Sequence, residues 1–321
     1  MLKIAPDPGL VDDFGAAVLR GLAATPKSIP ARYFYDARGS ALFEAITELP
    51  EYYPTRTEIG LLGAHGAAIA AAVGPGRVVV EFGSGSSRKT PQLLRAVQAS
   101  GYVPIDISAE FLQMAADDLA AKLPGLPVWP VAADFTQPLR LPPAMATRPA
   151  LGFFPGSTLG NAGPAAAVDL LRAFAATLGK TSWLVIGLDL RKDRTRLEAA
   201  YDDAAGVTAA FNGNLLLRIN RELGGTIEPA AFVHRARWND AEGRIEMHLE
   251  AMRDTTFAVL GTPFDMTAGE TIHTENSYKW TLDEARLLAR CSGWEPVSAW
   301  TDPEQLFALH LWRAETATPG P

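Results

Sequence analysis

The chain has 321 residues, 48% hydrophobic and 20% charged, a soluble globular composition long enough to bury one large core or two ordinary ones, so disorder does not describe it as a whole. Acidic residues outnumber basic ones by 36 to 29, a net charge of −7, which offers no overall attraction to nucleic acid or anionic membrane; neither is expected as a partner. The single cysteine, Cys291, excludes an internal disulfide and fits a reducing cytoplasm, and with five scattered histidines no metal site is expected.

In chain order, the opening Met-Leu-Lys-Ile-Ala-Pro-Asp lacks the apolar core of a signal peptide. The first 56 residues read as helical without a complete core of their own and are expected to pack on a later lobe. Residues 59–76 lack Asp, Glu, Lys and Arg, but five glycines, Pro75 and His65 interrupt them; 150–168 are broken by four glycines and two prolines. Neither reads as a bilayer span. From residue 77 a strand–helix alternation begins. RVVVEF (77–82) is an apolar β-branched run ending in a Gly83-Ser84-Gly85 turn, followed by a helix over 89–99 with Leu93, Leu94 and Val97 on one side. YVPIDI (102–107) is a second strand; Ser108 caps a helix over 108–123, with Glu110 in its first turn. Residues 128–133 form a third strand, marked by Pro130 as an edge or irregular one. A fourth spans 151–154; a helix opens near Pro164 and stops at Gly179; SWLVIGLDL (182–190) is a fifth strand. This alternation predicts parallel βαβ units in a doubly wound α/β sheet. After Arg191 an Ala-rich helix carries Tyr201 towards Phe211. Residues 231–238 and 244–252 then read as paired strands, with Ile245, Met247, Leu249 and Ala251 on one face and Glu246, His248 and Glu250 on the other. This is an inserted α+β lobe. A helix over 282–291 and two strands, 296–300 and 306–312, close the chain, and the tail after Arg313 is expected to fray. The division is therefore 57–191 plus 281–321 for the sheet domain, and 1–56 plus 192–280 for the lobe. A monomer is expected.

The chemistry concentrates at the carboxyl ends of the predicted strands. Glu81-Phe82-Gly83-Ser84-Gly85-Ser86-Ser87-Arg88-Lys89-Thr90 lets a ligand approach the backbone. A phosphate-binding P-loop needs glycine where Arg88 stands, and a dinucleotide fingerprint needs a third glycine in the region of Arg88 and Lys89. What remains is the acidic-x-Gly-x-Gly turn of class I S-adenosylmethionine methyltransferases, against the plain alternative of a ligand-free glycine turn. Asp106, 23 residues beyond Gly83, can accept from ribose hydroxyls. Asp134, followed by Phe135, can accept from an adenine amino group; for either Asp the alternative is a helix cap or an Asx turn. Lys89 can pair with a methionyl carboxylate or simply be solvated. Asn161, in GSTLGN after the fourth strand, can bind a substrate carboxylate or amine, or cap the helix near Pro164. No Gly-x-Ser-x-Gly elbow is present for serine-hydrolase chemistry.

Five segments carry a closer resemblance: LPEYYPTRTE (49–58), FGSGSSRKT (82–90), GSTLGN (156–161), AYDDAAGVTAAFN (200–212) and TENS (274–277). In this order the chain resembles the histidine Nα-methyltransferases of ergothioneine biosynthesis, from about 26 to 312. The resemblance implies a Rossmann-like class I methyltransferase sheet with an additional α+β substrate-binding lobe. It implies trimethylation of the α-amine of free L-histidine to hercynine, with S-adenosylmethionine as cosubstrate and no metal. By resemblance, Gly83, Lys89, Asp106, Asp134 and Phe135 match cofactor positions. Asn161 and Tyr201 match groups for the substrate carboxylate and amine. Tyr52, Glu275 and Ser277 match imidazole-reading groups, Met247 a pocket wall, and Tyr35 a tyrosine close to methyl transfer. Asn276 and Tyr278 flank the imidazole groups and depart from the expected smaller or less polar residues. Another free amino acid such as tryptophan, or a non-catalytic cofactor-binding role, are the alternatives.

Overall fold

The computed structural model describes residues 9–85, 89–107, 109–145 and 148–315. The expected cap Ser108, Ser86–Arg88 of the glycine motif, the N-terminal heptapeptide and the last six tail residues lie outside these. The chain divides into two compact units. One holds Pro54–Arg191 and Lys279–Pro321; the other holds Asp7–Tyr53 and Lys192–Tyr278.

The first unit is built on a seven-stranded sheet. Its spatial order is Trp294–Thr301, Phe307–Ala314, Trp183–Asp189, Ala150–Phe154, Val78–Phe82, Gly101–Asp106 and Val131–Ala132. The five strands from Val78 to Asp189 run parallel, and Phe307–Ala314 inserts antiparallel between Trp183–Asp189 and Trp294–Thr301. This is the class I methyltransferase order, with its reversal point between Val78–Phe82 and Ala150–Phe154. Ligands of such sheets bind at the carboxyl ends beside that point. Val78, Val79 and Val80 are wholly buried, as a continuous apolar run requires when both faces are covered. The predicted third strand is short and lies at the sheet edge, with Val128 contributing only an isolated bridge to Tyr102. The helix predicted over 89–99 covers only Thr90–Ala96; Gln98, with φ of +47°, ends it. The helix Leu282–Cys291 opens with a reciprocal capping box between Thr281 and Glu284.

The second unit carries a four-stranded sheet in the order Lys27–Ser28, Thr271–Tyr278, Arg244–Ala251, Phe232–Asn239. The hairpin Phe232–Asn239/Arg244–Ala251 has the predicted alternation, with Ile245, Met247, Leu249 and Ala251 buried. A second hairpin, Thr255–Val259/Thr262–Met266, has no turn signature in the sequence. Its two-residue turn is Leu260-Gly261, both at positive φ, rather than the Asn-Gly or Asp-Gly pair that announces such turns in sequence. The single Ala-rich helix expected through Tyr201 to Phe211 is two helices, Arg194–Tyr201 and Val207–Leu223. Asp203 breaks it: its carboxylate accepts from the backbone N–H of Val207 (2.9 Å) and Thr208 (2.7 Å), while Gly206 takes a φ of +73°. Burial opposes ionisation of Asp203, but these hydrogen bonds prevail and hold its pKa below the usual range. The break leaves Tyr201 as the last residue of its helix.

Candidate active site

In the first unit, the turn after Val78–Phe82 is left-handed at Gly83 (φ +70°) and Gly85 (φ +46°), a conformation that favours glycine. A Cβ on Gly83 would stand 3.5 Å from the Phe135 ring. Phe135 in turn packs edge-on to Phe82 and Phe154. Asp106 ends the neighbouring strand, and its carboxylate accepts from the Gly85 backbone N–H at 3.2 Å. Asp134 is exposed and forms an Asx turn, Oδ1 accepting from the Thr136 N–H at 2.9 Å. Gly83, Asp106 and Phe135 thus come together around one turn. Asn161 ends the 3-10 helix Thr158–Asn161; it is exposed, and the residue capping the next helix is Gly163, so Asn161 does not serve as that cap.

Glu58, the last residue of LPEYYPTRTE, carries no local signal of its role in the sequence. Its carboxylate is fully buried, ion-paired to Lys89 at 2.5 Å, and accepts from the Gly156 backbone N–H at 2.9 Å. It therefore ties the lysine after the glycine turn to the loop after the fourth strand. The backbone of Gly187 passes so close that a Cβ there would stand 2.0 Å from the Glu58 Oε1. Glu81 is also buried: its Oε2 accepts from Thr90 Oγ1 (2.7 Å) and from the Tyr102 hydroxyl. Burial pushes its pKa up to about 8 against the opposing pull of those two hydrogen bonds, so the acid of the motif is a neutral structural tie at pH 7.

The second unit gathers the remaining candidates. The Tyr201 hydroxyl and Ser277 Oγ lie 2.7 Å apart and are buried. The Tyr52 ring meets Tyr201 edge-on at 6.2 Å. From there an aromatic wall continues through Phe43 to Phe211 and Tyr35, with Tyr35 38% exposed. Phe43 and Phe211 were not singled out; Phe211 lies inside the recognised AYDDAAGVTAAFN segment, but nothing in Phe43's local pattern separates it from a core residue.

A β-bulge decides which way Glu275 faces. Along Thr271–Tyr278, His273 pairs with His248, but Glu275 pairs with Met247 and Ser277 with Ile245; Thr274 is the extra residue. Residues paired directly across a ladder share a face, so the bulge sends Glu275 and Ser277 to the Met247 side. Without it, the alternation set by His273 would put Glu275 beside His248. Asn276 pairs with Glu246 and Tyr278 with Arg244, on the opposite face. These two departures therefore do not share the face of Glu275, since residues an odd number of positions apart on a regular strand point to opposite sides.

Comparison with known proteins adds a decisive observation. The model of the family described as "Histidine-specific methyltransferase, SAM-dependent" matches residues 14–314. The chain belongs to this family. It is therefore an S-adenosylmethionine-dependent methyltransferase. The chain is 43% identical over 313 residues to the histidine N-alpha-methyltransferase of Mycolicibacterium smegmatis, covering 94% of this chain and 97% of the relative. It is 41% identical to the enzyme of the same name from Mycobacterium tuberculosis, covering 97% and 99%. Ergothioneine biosynthesis protein 1 of Neurospora crassa is 30% identical over 89% of this chain, which spans only 33% of that longer protein. Among the described residues, no helix is long and apolar enough to cross a membrane.

Proposed function

We propose that this methyltransferase trimethylates the α-amino group of free L-histidine to hercynine, for ergothioneine biosynthesis. The names and the extent of the two mycobacterial relatives support the substrate and the position methylated, and the Neurospora relative supports the pathway. The observation that carries the side-chain reading is the bulge at Thr274, which turns Glu275 and Ser277 to the Met247 face.

S-adenosylmethionine supplies an activated methyl group, so the protein's main contribution is positioning. The turn geometry fits this cosubstrate: two left-handed glycines give backbone access, and Asp106 and Phe135 border them. We assign Asp106 to the ribose hydroxyls, Asp134 with Phe135 to the adenine, Gly83 to close backbone approach and Lys89 to the methionyl carboxylate. Asp134 uses Oδ1 in its Asx turn, and we assign Oδ2 to the base. Asn161 and Tyr201 are assigned to the histidine carboxylate and amine; Glu275, Ser277 and Tyr52 read the imidazole, and Met247 forms its wall. Each transfer to an ammonium first requires loss of a proton, which a tyrosine hydroxyl or water can relay. The fixed positive charge of the product is tolerated by aromatic faces such as Tyr35 and Tyr52.

The test is incubation of the purified protein with S-adenosylmethionine and each free amino acid, with mass detection. Histidine should gain three methyl groups, while tryptophan and histamine, which lack the imidazole and the carboxylate respectively, should be poor substrates. Efficient methylation of histamine would refute the carboxylate assignment; preference for tryptophan would refute the imidazole assignment.

A further inference from the structure

Behind the substrate-facing side chains of the second unit lies a buried polar circuit without an assigned role. The backbone carbonyl of Tyr201 is at a helix end, where carbonyls lack partners within the helix. His234 Nε2 stands 2.8 Å from it. A carbonyl can only accept, so Nε2 carries the proton and Nδ1 is left as an acceptor. Asn212 Nδ2 donates to that Nδ1 at 2.9 Å and to the His248 carbonyl at 3.1 Å. Asn212 Oδ1 accepts from Thr274 Oγ1 at 2.8 Å, and the same hydroxyl lies 3.0 Å from the Met247 carbonyl. Thr274 is the bulge residue itself. One step along the chain is Glu275, and three steps along is Ser277, which returns to the Tyr201 hydroxyl at 2.7 Å. The hydrogen bonds close a ring that holds Tyr201 at both ends, through its main chain and through its hydroxyl. His234, Asn212 and Thr274 are 7%, 0% and 2% exposed, so water does not substitute readily for any link.

We propose that His234 is a positioning residue for histidine binding: through Asn212 and Thr274 it couples the helix end that carries Tyr201 to the bulge that presents Glu275 and Ser277. This rests on the reading that Tyr201 touches the substrate. The circuit needs a neutral imidazole, because a proton on Nδ1 would face the Asn212 amide donor. The charged groups acting on His234 are Asp202, whose Oδ1 is 4.0 Å from Nε2, Asp203, and Arg235 on its own strand. Burial outweighs the hydrogen bond to Tyr201 and the two aspartates, and keeps the pKa below 6.5. Glutamine at 234 offers a donor towards Tyr201 and an acceptor towards Asn212 but does not titrate.

The experiment compares wild type, His234→Phe, His234→Gln and Tyr201→Phe. It measures KM and kcat for histidine and, by calorimetry, affinity for S-adenosylmethionine. His234→Phe should raise the histidine KM about tenfold, the equivalent of one hydrogen bond, and leave S-adenosylmethionine affinity unchanged. His234→Gln should recover most of that loss. The wild-type histidine KM should also climb more steeply than that of His234→Gln as pH falls below 6.5; the comparison cancels protonation of the substrate's own imidazole. If His234→Phe does not fold, the glutamine variant and the two pH profiles still decide. Parallel profiles, or a His234→Phe variant with wild-type KM beside an impaired Tyr201→Phe, overturn the positioning role alone. A Tyr201→Phe variant with wild-type histidine KM overturns the substrate role of Tyr201 and, with it, the route from His234.

Discussion

Replacing Glu81 by glutamine tests whether the acid of the glycine motif acts as a neutral tie. The Glu81 carboxyl is wholly buried, and its Oε2 accepts from two hydroxyls, those of Thr90 and Tyr102. Its pKa is raised from 4.5 to about 8, chiefly by burial. A raised folded-state pKa means that the folded protein binds more protons than the unfolded chain between these two values. The associated stability is therefore fully present below pH 4.5 and is lost as pH rises through 8. At 1.36 kcal/mol per pKa unit, the full span corresponds to about 5 kcal/mol, and the interval from pH 5 to pH 7 to about 3 kcal/mol. Glutamine reproduces the shape and hydrogen-bonding pattern of the protonated acid but cannot ionise. Urea unfolding of wild type and Glu81→Gln at each pH from 5 to 9, with the difference taken, cancels the titrations that are not coupled to Glu81. The variant should gain on wild type by about 3 kcal/mol between pH 5 and pH 7, and further to pH 8. Parallel stability profiles would show that Glu81 is not held neutral, and would refute the reasoning.

Three further outcomes follow from the same geometry. Lys89→Met strands a Glu58 side chain that is 0% exposed, whereas Glu58→Gln strands a lysine that is 14% exposed; the first should cost about 3–5 kcal/mol in urea unfolding and the second less, because the lysine can hydrate. The reverse order would contradict the burial argument. His310 is buried and its pKa is lowered from 6.5 to about 4, first by burial and then by Arg286. The stability it contributes is present above 6.5 and lost as pH falls through 4, so His310→Leu should flatten the acid limb by about 3 kcal/mol; an unchanged limb would exclude His310 as its source. Glu275→Ala should reduce kcat/KM for histidine by about 1–3 kcal/mol, by leaving a ring N–H unpaired, with no comparable loss for an apolar amino acid; equal losses for both would remove Glu275 from imidazole recognition.

The α/β alternation was legible from residue 77 because a buried parallel strand must be apolar on both faces, and Val78–Val80 and Leu184–Ile186 are. The glycine turn and Asp106 were legible for the same local reason: left-handed backbone asks for glycine, and a carboxylate at a strand end is two residues of information. Family resemblance supplied the candidate substrate groups, which no period or spacing could have separated from core residues. The split of the helix at Tyr201 is local too: Asp203 caps the next helix and Gly206 takes the left-handed turn, a break masked by the Ala-rich composition around it. Two things depended on tertiary structure. The partner of Lys89 is Glu58, 31 residues away, and nothing in either local pattern announces a buried pair. The face of Glu275 was decided by one extra residue, Thr274, held out of register by Asn212 and the Met247 carbonyl. Strand alternation read from sequence carries no record of a bulge, since the residue that creates it is held by a helix side chain and a neighbouring strand's carbonyl that meet only in the folded unit.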